Sequence, residues 1–340
     1  MKFIKQVLIL NTNLSKNMKV LLTGGSGLVG KAIQHVLNTH YSSLQEGVGT
    51  TIPHQFIFLS SADCNLLDKK QTMAYFKREN PGAVIHLAAH VGGLYKNMNE
   101  KVLMYENNME MNLNVLRAAF ECGVRRMICC LSTCIFPDEI GFPINEAQLH
   151  LGPPHDSNEG YAYAKRMLEM HCRLYRRQAG VEYICVTPTN LFGEFDNFSL
   201  ENGHVLPSLI HRASLLKSES ELFQIRGSGV PRRQFVYARD FARVLLHLLD
   251  MPAAKLPSNM IVSPDEEYPI NMVAQAIAAE FDIDKKRLTF DHTYADGQLR
   301  KTADNSLLKQ VLPEFKFTNF HQALKKTAHW FKDNYPNVRL

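Results

Sequence analysis

The chain has 340 residues, of which 45% are hydrophobic and 21% are charged. That composition is typical of a globular protein, and the length predicts about two domains, or one fold with an added lobe. The formal net charge is only +5, from 38 basic and 33 acidic residues that are interleaved along the chain. A nucleic-acid partner is therefore not expected. No stretch approaches the roughly 20 apolar residues of a membrane helix, so a membrane partner is not expected either.

The chain contains seven cysteines, an odd number, and no two of them form a Cys-x-x-Cys pair. This pattern predicts neither a disulfide framework nor a zinc site, and we expect no metal. Free thiols are typical of a reducing compartment, so we expect a cytoplasmic protein. The apolar run Val7–Leu10 is shorter than the ~7–15 residues of a signal-peptide core. We expect residues 1–17 to be a disordered leader before a core that begins near Met18.

Short apolar runs alternate with longer helical patterns from Lys19 onward. The predicted strands are 19–23, 56–60, 83–89, 127–132 and 182–188, and the predicted helices are 28–37, 69–78, 102–122 and 161–178. This alternation predicts a parallel sheet with helices on both faces, and the fully apolar strands agree, because both of their faces would then be covered. The predicted fold class is α/β, a doubly wound parallel sheet of the Rossmann type.

The alternation ends after Pro188, where glycines and prolines begin to separate shorter elements. This change predicts a smaller C-terminal lobe at 191–340, with some of its segments returning to the main sheet. Ligands of doubly wound folds bind at the carboxyl edge of the sheet. We therefore expect the first domain, 18–190, to bind a cofactor and the lobe to bind the substrate.

A glycine-rich loop at Thr23–Gly30 follows the first predicted strand and opens the first helix. It contains the pattern Gly-x-Gly-x-x-Gly, and its strand–turn–helix context is the one in which this pattern predicts a dinucleotide site. Glycines let the backbone turn sharply and approach the diphosphate, whose charge then lies at a helix N-terminus. The expected cofactor-binding residues here are Gly24, Gly25, Ser26, Gly27, Leu28, Val29 and Gly30.

The end of the second strand indicates which dinucleotide is bound. NAD sites ordinarily have an acid there to hold the ribose 2′-hydroxyl. Here the chain reads Leu59-Ser60-Ser61-Ala62, with no acid until Asp63. Two hydroxyls in place of a carboxylate favour NADP(H), because a carboxylate would repel the 2′-phosphate. Asp63 and the residues just after it are alternatively placed to meet the adenine.

Tyr161 and Lys165 lie one turn apart early in a predicted helix, so their side chains share one face. A cation beside a phenol favours the phenolate, which predicts a lowered pKa for Tyr161 and a usable proton donor. Ser132 follows the fourth strand at the carboxyl edge of the sheet, where its hydroxyl could bind a reacting carbonyl. Together these three residues predict a carbonyl reductase site.

Several longer blocks extend this pattern: HLAA-x-VGG (86–93), LSTCIFP (131–137), PTNLFG (188–193), DNF (196–198), GHVLP (203–207) and PRRQF (231–235). With these blocks the chain resembles the extended short-chain dehydrogenase/reductases that act on nucleotide sugars, and among them the GDP-L-fucose synthases. The resemblance runs from about Met18 to the C-terminus. It implies 3,5-epimerisation of GDP-4-keto-6-deoxy-D-mannose, followed by NADPH-dependent reduction of the 4-keto group. It also implies a homodimer that pairs the helices at 102–122 and 161–178.

The resemblance implies roles for further residues. Cys134 is the expected base and His204 the expected acid of the epimerisation, which needs one group to remove a proton and another to return it on the opposite face. A neighbouring cation would lower the pKa of Cys134, and His204 would titrate near neutrality. Lys165 and His204 are also expected to contact the cofactor, as are the consecutive residues Pro188, Thr189, Asn190 and Leu191.

The expected substrate-binding residues are Arg212, Arg226, Arg233 and Asp296. Guanidinium groups suit a diphosphate because their donors form a fork. The chain departs from the family pattern at two places. Glu194-Phe195 stands where Pro-His is usual, and Arg226 stands where a tryptophan is usual. The first change bears on the shape of the loop, and the second bears on which nucleotide base of the substrate is selected.

Two other readings follow from the same fold. The first is a nucleotide-sugar 4-epimerase or 4,6-dehydratase; the strand end without an acid disfavours the epimerase, and Thr133–Cys134 lacks the carboxylate of a dehydratase. The second is a dinucleotide-sensing regulator without turnover, a class that usually loses the tyrosine or lysine present here. The order of the two epimerisations is left open.

Overall fold

A computed structural model describes residues 17–45, 54–294 and 296–340, with side chains left undescribed at 40–45 and at Tyr95. The predicted leader lies outside these ranges apart from its last residue. The strands are β1 Lys19–Thr23, β2 Gln55–Leu59, β3 Ala83–His86, β4 Arg126–Cys130, β5 Glu182–Pro188, β6 Asn190–Phe192, β7 Phe223–Arg226, β8 Arg232–Arg233, β9 Phe235–Tyr237, β10 Asn259–Val262, β11 Tyr268–Pro269 and β12 Leu288–Asp291. The helices are α1 Leu28–Gln45, α2 Lys69–Glu79, α3 Leu94–Asn99, α4 Lys101–Glu121, α5 Glu159–Ala179, α6 Val205–Ser214, α7 Ala238–Asp250, α8 Ile270–Glu280, α9 Ser306–Val311 and α10 Phe320–Asn334.

The main sheet has six parallel strands in the order β2-β1-β3-β4-β5-β10. The predicted α/β class and doubly wound parallel sheet are confirmed. Strand β2 lies on one side of β1 and strand β3 lies on the other, so the order of the strands reverses at β1. Such a reversal of strand order opens a crevice at the carboxyl ends of the two strands, where ligands of this fold bind.

Apolar side chains cover both faces of the main sheet. Leu21 packs into one cluster with α2, α4 and α5, whereas its neighbours Val20 and Leu22 pack into a second cluster with α1 and α7. Successive side chains of a strand point to opposite faces, so a strand covered on both sides has no polar position. This is why the centre of β1, Val20–Leu22, is apolar.

The second half of the chain supplies a third cluster and also contributes to the main sheet. Helices α6, α8 and α10 pack around Phe223 and Phe331, beside three two-stranded sheets. Strand β10 pairs with β5 in the main sheet, and α7 packs against α1. The division after residue 190 stays a prediction.

Two element boundaries differ from the sequence prediction. Helix α1 continues to Gln45 rather than ending at residue 37. The prediction followed apolar periodicity, and Leu37 is the last core residue among those of α1 whose side chains are described. Strand β3 ends at His86 rather than at residue 89. The apolar residues Leu87–Ala89 instead form part of a cavity wall.

Helices α4 and α5 pack closely against each other at Gly160. A Cβ atom built there would lie 2.1 Å from the carbonyl oxygen of Lys101. We expect Gly160→Ala to lower the free energy of unfolding by about 1–3 kcal/mol, because backbone must move to admit the methyl group. Thermal unfolding measures this, and Gly141→Ala is the control because a Cβ there meets nothing within 4 Å. Equal midpoints for the two variants would contradict the packing described.

Candidate active site

The loop that follows β1 fits closely against its neighbours. Gly24 has φ +73°, and a Cβ atom there would lie 2.8 Å from the amide nitrogen of Ala88. A Cβ at Gly25 would lie 2.7 Å from Phe58, and one at Gly30 would lie 2.5 Å from the carbonyl oxygen of Gly25. Glycine is therefore required at these positions, and the loop brings bare backbone to the N-terminus of α1.

A buried hydrogen-bond chain holds the start of this loop. The amide of Ala88 donates to Thr23 Oγ1 (3.2 Å), which lies 2.7 Å from His86 Nδ1, while His86 Nε2 lies 3.0 Å from Asn112 Oδ1. Burial, with the charge of Lys165 second, lowers the pKa of His86 to about 3, so the ring is neutral. Donor counting then puts its proton on Nε2, and the Thr23 hydroxyl donates to Nδ1. Sequence reasoning quoted His86 only as part of a motif and missed this role.

A cavity of about 720 Å³ opens where the strand order reverses. The predicted residues on its wall are Gly24, Ser26, Gly27, Leu28, Val29, Gly30, Ser132, Tyr161, Lys165, Pro188, Thr189, Asn190, Leu191 and His204. Gly25 lies beneath the loop against Phe58. The structure therefore brings residues from both halves of the sequence around one space large enough for a dinucleotide.

The wall at the end of β2 carries Ser60 and Ser61. Asp63 accepts hydrogen bonds from the Ser60 amide (2.8 Å) and hydroxyl (2.6 Å). These bonds, the hydroxyl's first, lower the pKa of Asp63. The Ser60 hydroxyl is thus committed to Asp63, which leaves Ser61 as the exposed hydroxyl facing the cavity.

Lys165 is 1% exposed, and its Nζ donates to the Cys130 carbonyl (2.8 Å). Its ammonium lies 5.8 Å from the centroid of the Tyr161 ring. Burial lowers the pKa of Lys165 and raises that of Tyr161 well above its usual range. The expectation of a lowered phenol pKa was wrong for this structure, because desolvation of the phenolate raises the pKa, and the neighbouring thiols of Cys134 and Cys130 act in the same direction. The phenol keeps its proton at neutral pH, as a proton donor must.

Ser132 and Cys134 lie at a short turn after β4. The Ser132 hydroxyl accepts from the Cys134 amide at 3.5 Å. Burial raises the pKa of Cys134, opposed by the Ser132 hydrogen bond and then by the charges of Lys301 and Lys165. A lowered thiol pKa is therefore not observed, although two cations act in that direction. Lys301 was missed by sequence reasoning, because only the fold brings it beside Cys134.

His204 precedes α6 at its N-cap position. His204 is exposed at the cavity, and desolvation, with the charge of Arg339 second, lowers its pKa. Titration near neutrality stays a prediction. Asp196 lies on the same wall and is 4% exposed. Its Oδ1 accepts from the Asn197 amide (2.7 Å), and its Oδ2 is buried without a hydrogen-bond partner among the described residues. Burial raises the pKa of Asp196 to about 7, opposed by that amide and by Arg339.

The expected substrate-binding residues lie in the C-terminal half, off the wall of this cavity. Arg226 lies over the Tyr294 ring, 4.7 Å from its centroid, and pairs with Glu201 at 3.5 Å. Arg212 donates to the Gln224 carbonyl (3.1 Å). Burial, with the charge of Arg226 second, lowers the pKa of Arg212. Arg226 therefore stacks on an aromatic ring, at the position where the family has a tryptophan.

Arg233 interacts electrostatically with Asp296 and with Lys301, the lysine beside Cys134. Burial lowers the pKa of Arg233, opposed by the charge of Asp296, and Arg233 in turn helps to lower the pKa of Lys301. The carboxylate of Asp296 accepts from the Ser228 amide (2.7 Å) and hydroxyl (2.6 Å). Asp296 thus holds a turn in place beside Arg233, and a direct contact with substrate stays a prediction.

The departure at Glu194-Phe195 has a structural explanation. Glu194 is buried and accepts hydrogen bonds from the Tyr237 hydroxyl (2.7 Å) and from Arg239 (2.7 Å). Phe195 has φ +68° and packs on Trp330, with 4.7 Å between ring centroids. A satisfied buried carboxylate and an aromatic contact hold this loop without the usual Pro-His.

Comparisons with known proteins agree with this geometry. Residues 20–262 match the model of the NAD dependent epimerase/dehydratase family. A GDP-L-fucose synthase of Dictyostelium discoideum is 42% identical over 329 residues, which cover 96% of this chain and 99% of the relative. A probable GDP-L-fucose synthase of Drosophila melanogaster is 41% identical, covering 94% and 99%.

A solved structure is similar over nearly the whole chain. It is a GDP-L-fucose synthetase from Naegleria fowleri bound to NADP, with a TM-score of 0.85 and 41% identity, covering 96% of each chain. The alignment thus includes the glycine loop and the lobe that carries His204. The chain belongs to the NAD dependent epimerase/dehydratase family and, within it, to the GDP-L-fucose synthases.

Proposed function

We propose that this chain is an enzyme that converts GDP-4-keto-6-deoxy-D-mannose to GDP-L-fucose, by 3,5-epimerisation and then NADPH-dependent reduction at carbon 4. The observation that carries the proposal is the cavity on which the glycine loop, Ser132, Tyr161, Lys165 and His204 meet. The same activity is named for relatives 41–42% identical over nearly the full chain.

The residues of the cavity fit a dinucleotide phosphate. Bare backbone at Gly24–Gly30 and the N-terminus of α1 suit the diphosphate, and Ser61 is exposed where a 2′-phosphate lies in such folds. Thr189 Oγ1 is buried on the wall without a hydrogen-bond partner among the described residues, so a ligand group there would satisfy it. NADPH supplies the hydride when bound.

Reduction depends on a proton held by this chain. Tyr161 carries it, because burial keeps the phenol protonated. Lys165 lies against the same ring and opposes the cost of forming a phenolate as the proton leaves. Ser132 offers a second hydroxyl on the same wall, so the ketone oxygen is bound from two sides.

Epimerisation depends on Cys134 and His204. Hydrogens on the carbons that flank a ketone are acidic, and inversion needs a base and an acid on opposite faces. Ionisation of the Cys134 thiol is favoured by Lys301 and Lys165 against burial. The lowered pKa of His204 makes its protonated ring a better proton donor. We assign Cys134 as the base and His204 as the acid.

We assign Arg212, Arg226 and Arg233 to binding of the diphosphate and the nucleotide base of the substrate. Asp296 holds the turn beside them. The stack of Arg226 on Tyr294 supports a planar surface for the base. The end of β2 has no acid, which disfavours a 4-epimerase. Residues 133–134 include no carboxylate, which disfavours a 4,6-dehydratase.

A homodimer is supported by the surface of α4 and α5. Val102, Leu103 and Tyr105 of α4 are exposed, as are Met170 and Leu174 of α5. Large apolar side chains on two adjacent helices are typical of an interface between copies. No helix within the described ranges is long and apolar enough to cross a membrane.

The first prediction concerns the cofactor. We expect NADPH to bind more tightly than NADH by on the order of 1–3 kcal/mol, the range for a charge-assisted phosphate contact. Ser61→Asp should remove this preference by charge repulsion, whereas Ser61→Asn should keep more of it. Fluorescence titration gives the dissociation constants. Equal constants for the two cofactors in the parent protein would contradict the assignment.

The second prediction concerns reduction. Tyr161→Phe should lower turnover by about 10²–10⁴-fold, the worth of a positioned proton donor, while NADPH binding stays near normal. Tyr163→Phe is the matched control, because this ring lies in the same helix and packs under Arg166 instead. Steady-state NADPH oxidation measures both. Turnover of Tyr161→Phe within about threefold of the parent would show that another group donates the proton.

The third prediction concerns epimerisation. Cys134→Ser should slow exchange of the carbon-3 and carbon-5 hydrogens with deuterated water, because an alcohol ionises far less readily than a thiol. His204→Asn should slow it as well. Tyr161 is intact in both, so the unepimerised ketone can still be reduced to a GDP-6-deoxy sugar of the wrong configuration.

Product NMR in deuterated water follows this exchange, and Cys122→Ser controls for loss of a thiol elsewhere. GDP-L-fucose deuterated at both carbons at the parent rate, from either variant, would remove that residue from the mechanism.

A further inference from the structure

The segment that follows α10 returns to the active-site cavity. Val338 packs on the cluster of the C-terminal half. The amide of Phe198 donates to the carbonyl oxygen of Arg339 at 2.8 Å, and the Arg339 side chain forms part of the cavity wall. A residue distant in sequence from every predicted motif therefore shares a cavity wall with Tyr161 and His204.

The same segment and α10 hold the loop that leads to His204. Phe195 packs on Trp330, and Phe198 packs on Phe331, each with 4.7 Å between ring centroids. His211 of α6 donates from Nδ1 to the carbonyl oxygen of Phe198 (2.8 Å). Phe195 and Phe198 thus anchor the loop on either side of Asp196, and the loop reaches the cavity wall again at His204.

Two of the side chains on that wall interact with the Arg339 charge. One is Asp196, whose Oδ2 is buried without a hydrogen-bond partner among the described residues. The other is His204, the proposed acid of the epimerisation. The remaining ionisable groups of the described wall are Cys64, Cys130, Tyr161 and Lys165. The charge of Lys165 acts on the Cys130 thiol, whereas the charge of Arg339 acts on the His204 ring.

We infer that Arg339 is a positioning residue of the active site, whose charge acts on Asp196 and His204 from the segment after α10. Its guanidinium favours the ionised form of the buried Asp196 and disfavours the imidazolium of His204. An imidazolium beside a cation is a stronger acid, so it returns a proton more readily to a carbanion. The role of His204 as an acid rests on the proposed function, whereas the effect of Arg339 on the ring does not.

The direct test measures His204 itself. In the full chain with labelled histidine rings, His204→Asn identifies the resonance of His204, and its midpoint is read from a pH titration. Burial and Arg339 both lower the pKa of His204, so Arg339→Gln should raise the midpoint. We expect a rise of about 0.3–0.5 pH unit, because both residues are exposed and water screens the charge between them.

Two further variants separate charge from structure. Arg339→Lys keeps the cation and should restore most of the parent midpoint. Leu340→Ala changes an exposed neighbour and should leave the midpoint unchanged. An unchanged midpoint in Arg339→Gln would overturn the inference. Equal shifts in Arg339→Gln and Arg339→Lys, with equal losses of thermal stability, would also overturn it in favour of simple packing.

The pH profile of solvent exchange then connects the charge to the reaction. Exchange that needs protonated His204 falls as the pH rises through its pKa, so Arg339→Gln should move this alkaline limb to higher pH while lowering the maximal rate. A shifted His204 titration with an unmoved limb would support the effect of Arg339 on the ring and overturn the assignment of His204 as the acid. The two proposals therefore fail separately.

Discussion

The burial of one ammonium group, that of Lys165, is the constraint on which the chemistry of the site depends. A charge removed from water must be compensated, and the Cys130 carbonyl at the end of β4 supplies the hydrogen bond. The same charge adds to burial in keeping His86 neutral, and it opposes the cost of ionising Tyr161 and Cys134. It thereby links the support beneath the glycine loop to both proposed half-reactions.

The two half-reactions draw on different parts of the fold. In the proposed mechanism, reduction uses Ser132, which follows β4 at the carboxyl edge of the main sheet, and Tyr161 of α5 on the same cavity wall. Epimerisation also needs His204, which lies at the end of a loop and is held by α6, α10 and the segment after it. Aromatic packing therefore positions the loop of the proposed acid, and we infer that Arg339 adds to the effect of burial on its charge state.

Much of the fold and part of the site could be predicted from local patterns. Buried strands followed by helices indicated the sheet, and the glycine spacing indicated which backbone approaches a ligand. Tyr161 and Lys165 could be paired because a helix places residues four apart on one face.

The rest could not be predicted, because it depends on contacts between distant segments. Nothing in the spacing of Lys301 or Arg339 connects them to Cys134 or His204. The directions of the pKa shifts of Tyr161 and Cys134 were also missed, since desolvation depends on burial that only the folded chain defines. The burial of Glu194 could not be predicted either, because its partners Tyr237 and Arg239 come beside it only when β9 and α7 are in place.

The most direct test of the account is a single-turnover reaction of the parent enzyme with NADPH and GDP-4-keto-6-deoxy-D-mannose in deuterated water, with the product read by NMR. The account predicts GDP-L-fucose that carries solvent deuterium at carbons 3 and 5, formed with oxidation of one NADPH per product. A GDP-6-deoxy sugar that keeps the D-manno configuration at carbon 3 and carbon 5 and contains no solvent deuterium would contradict it.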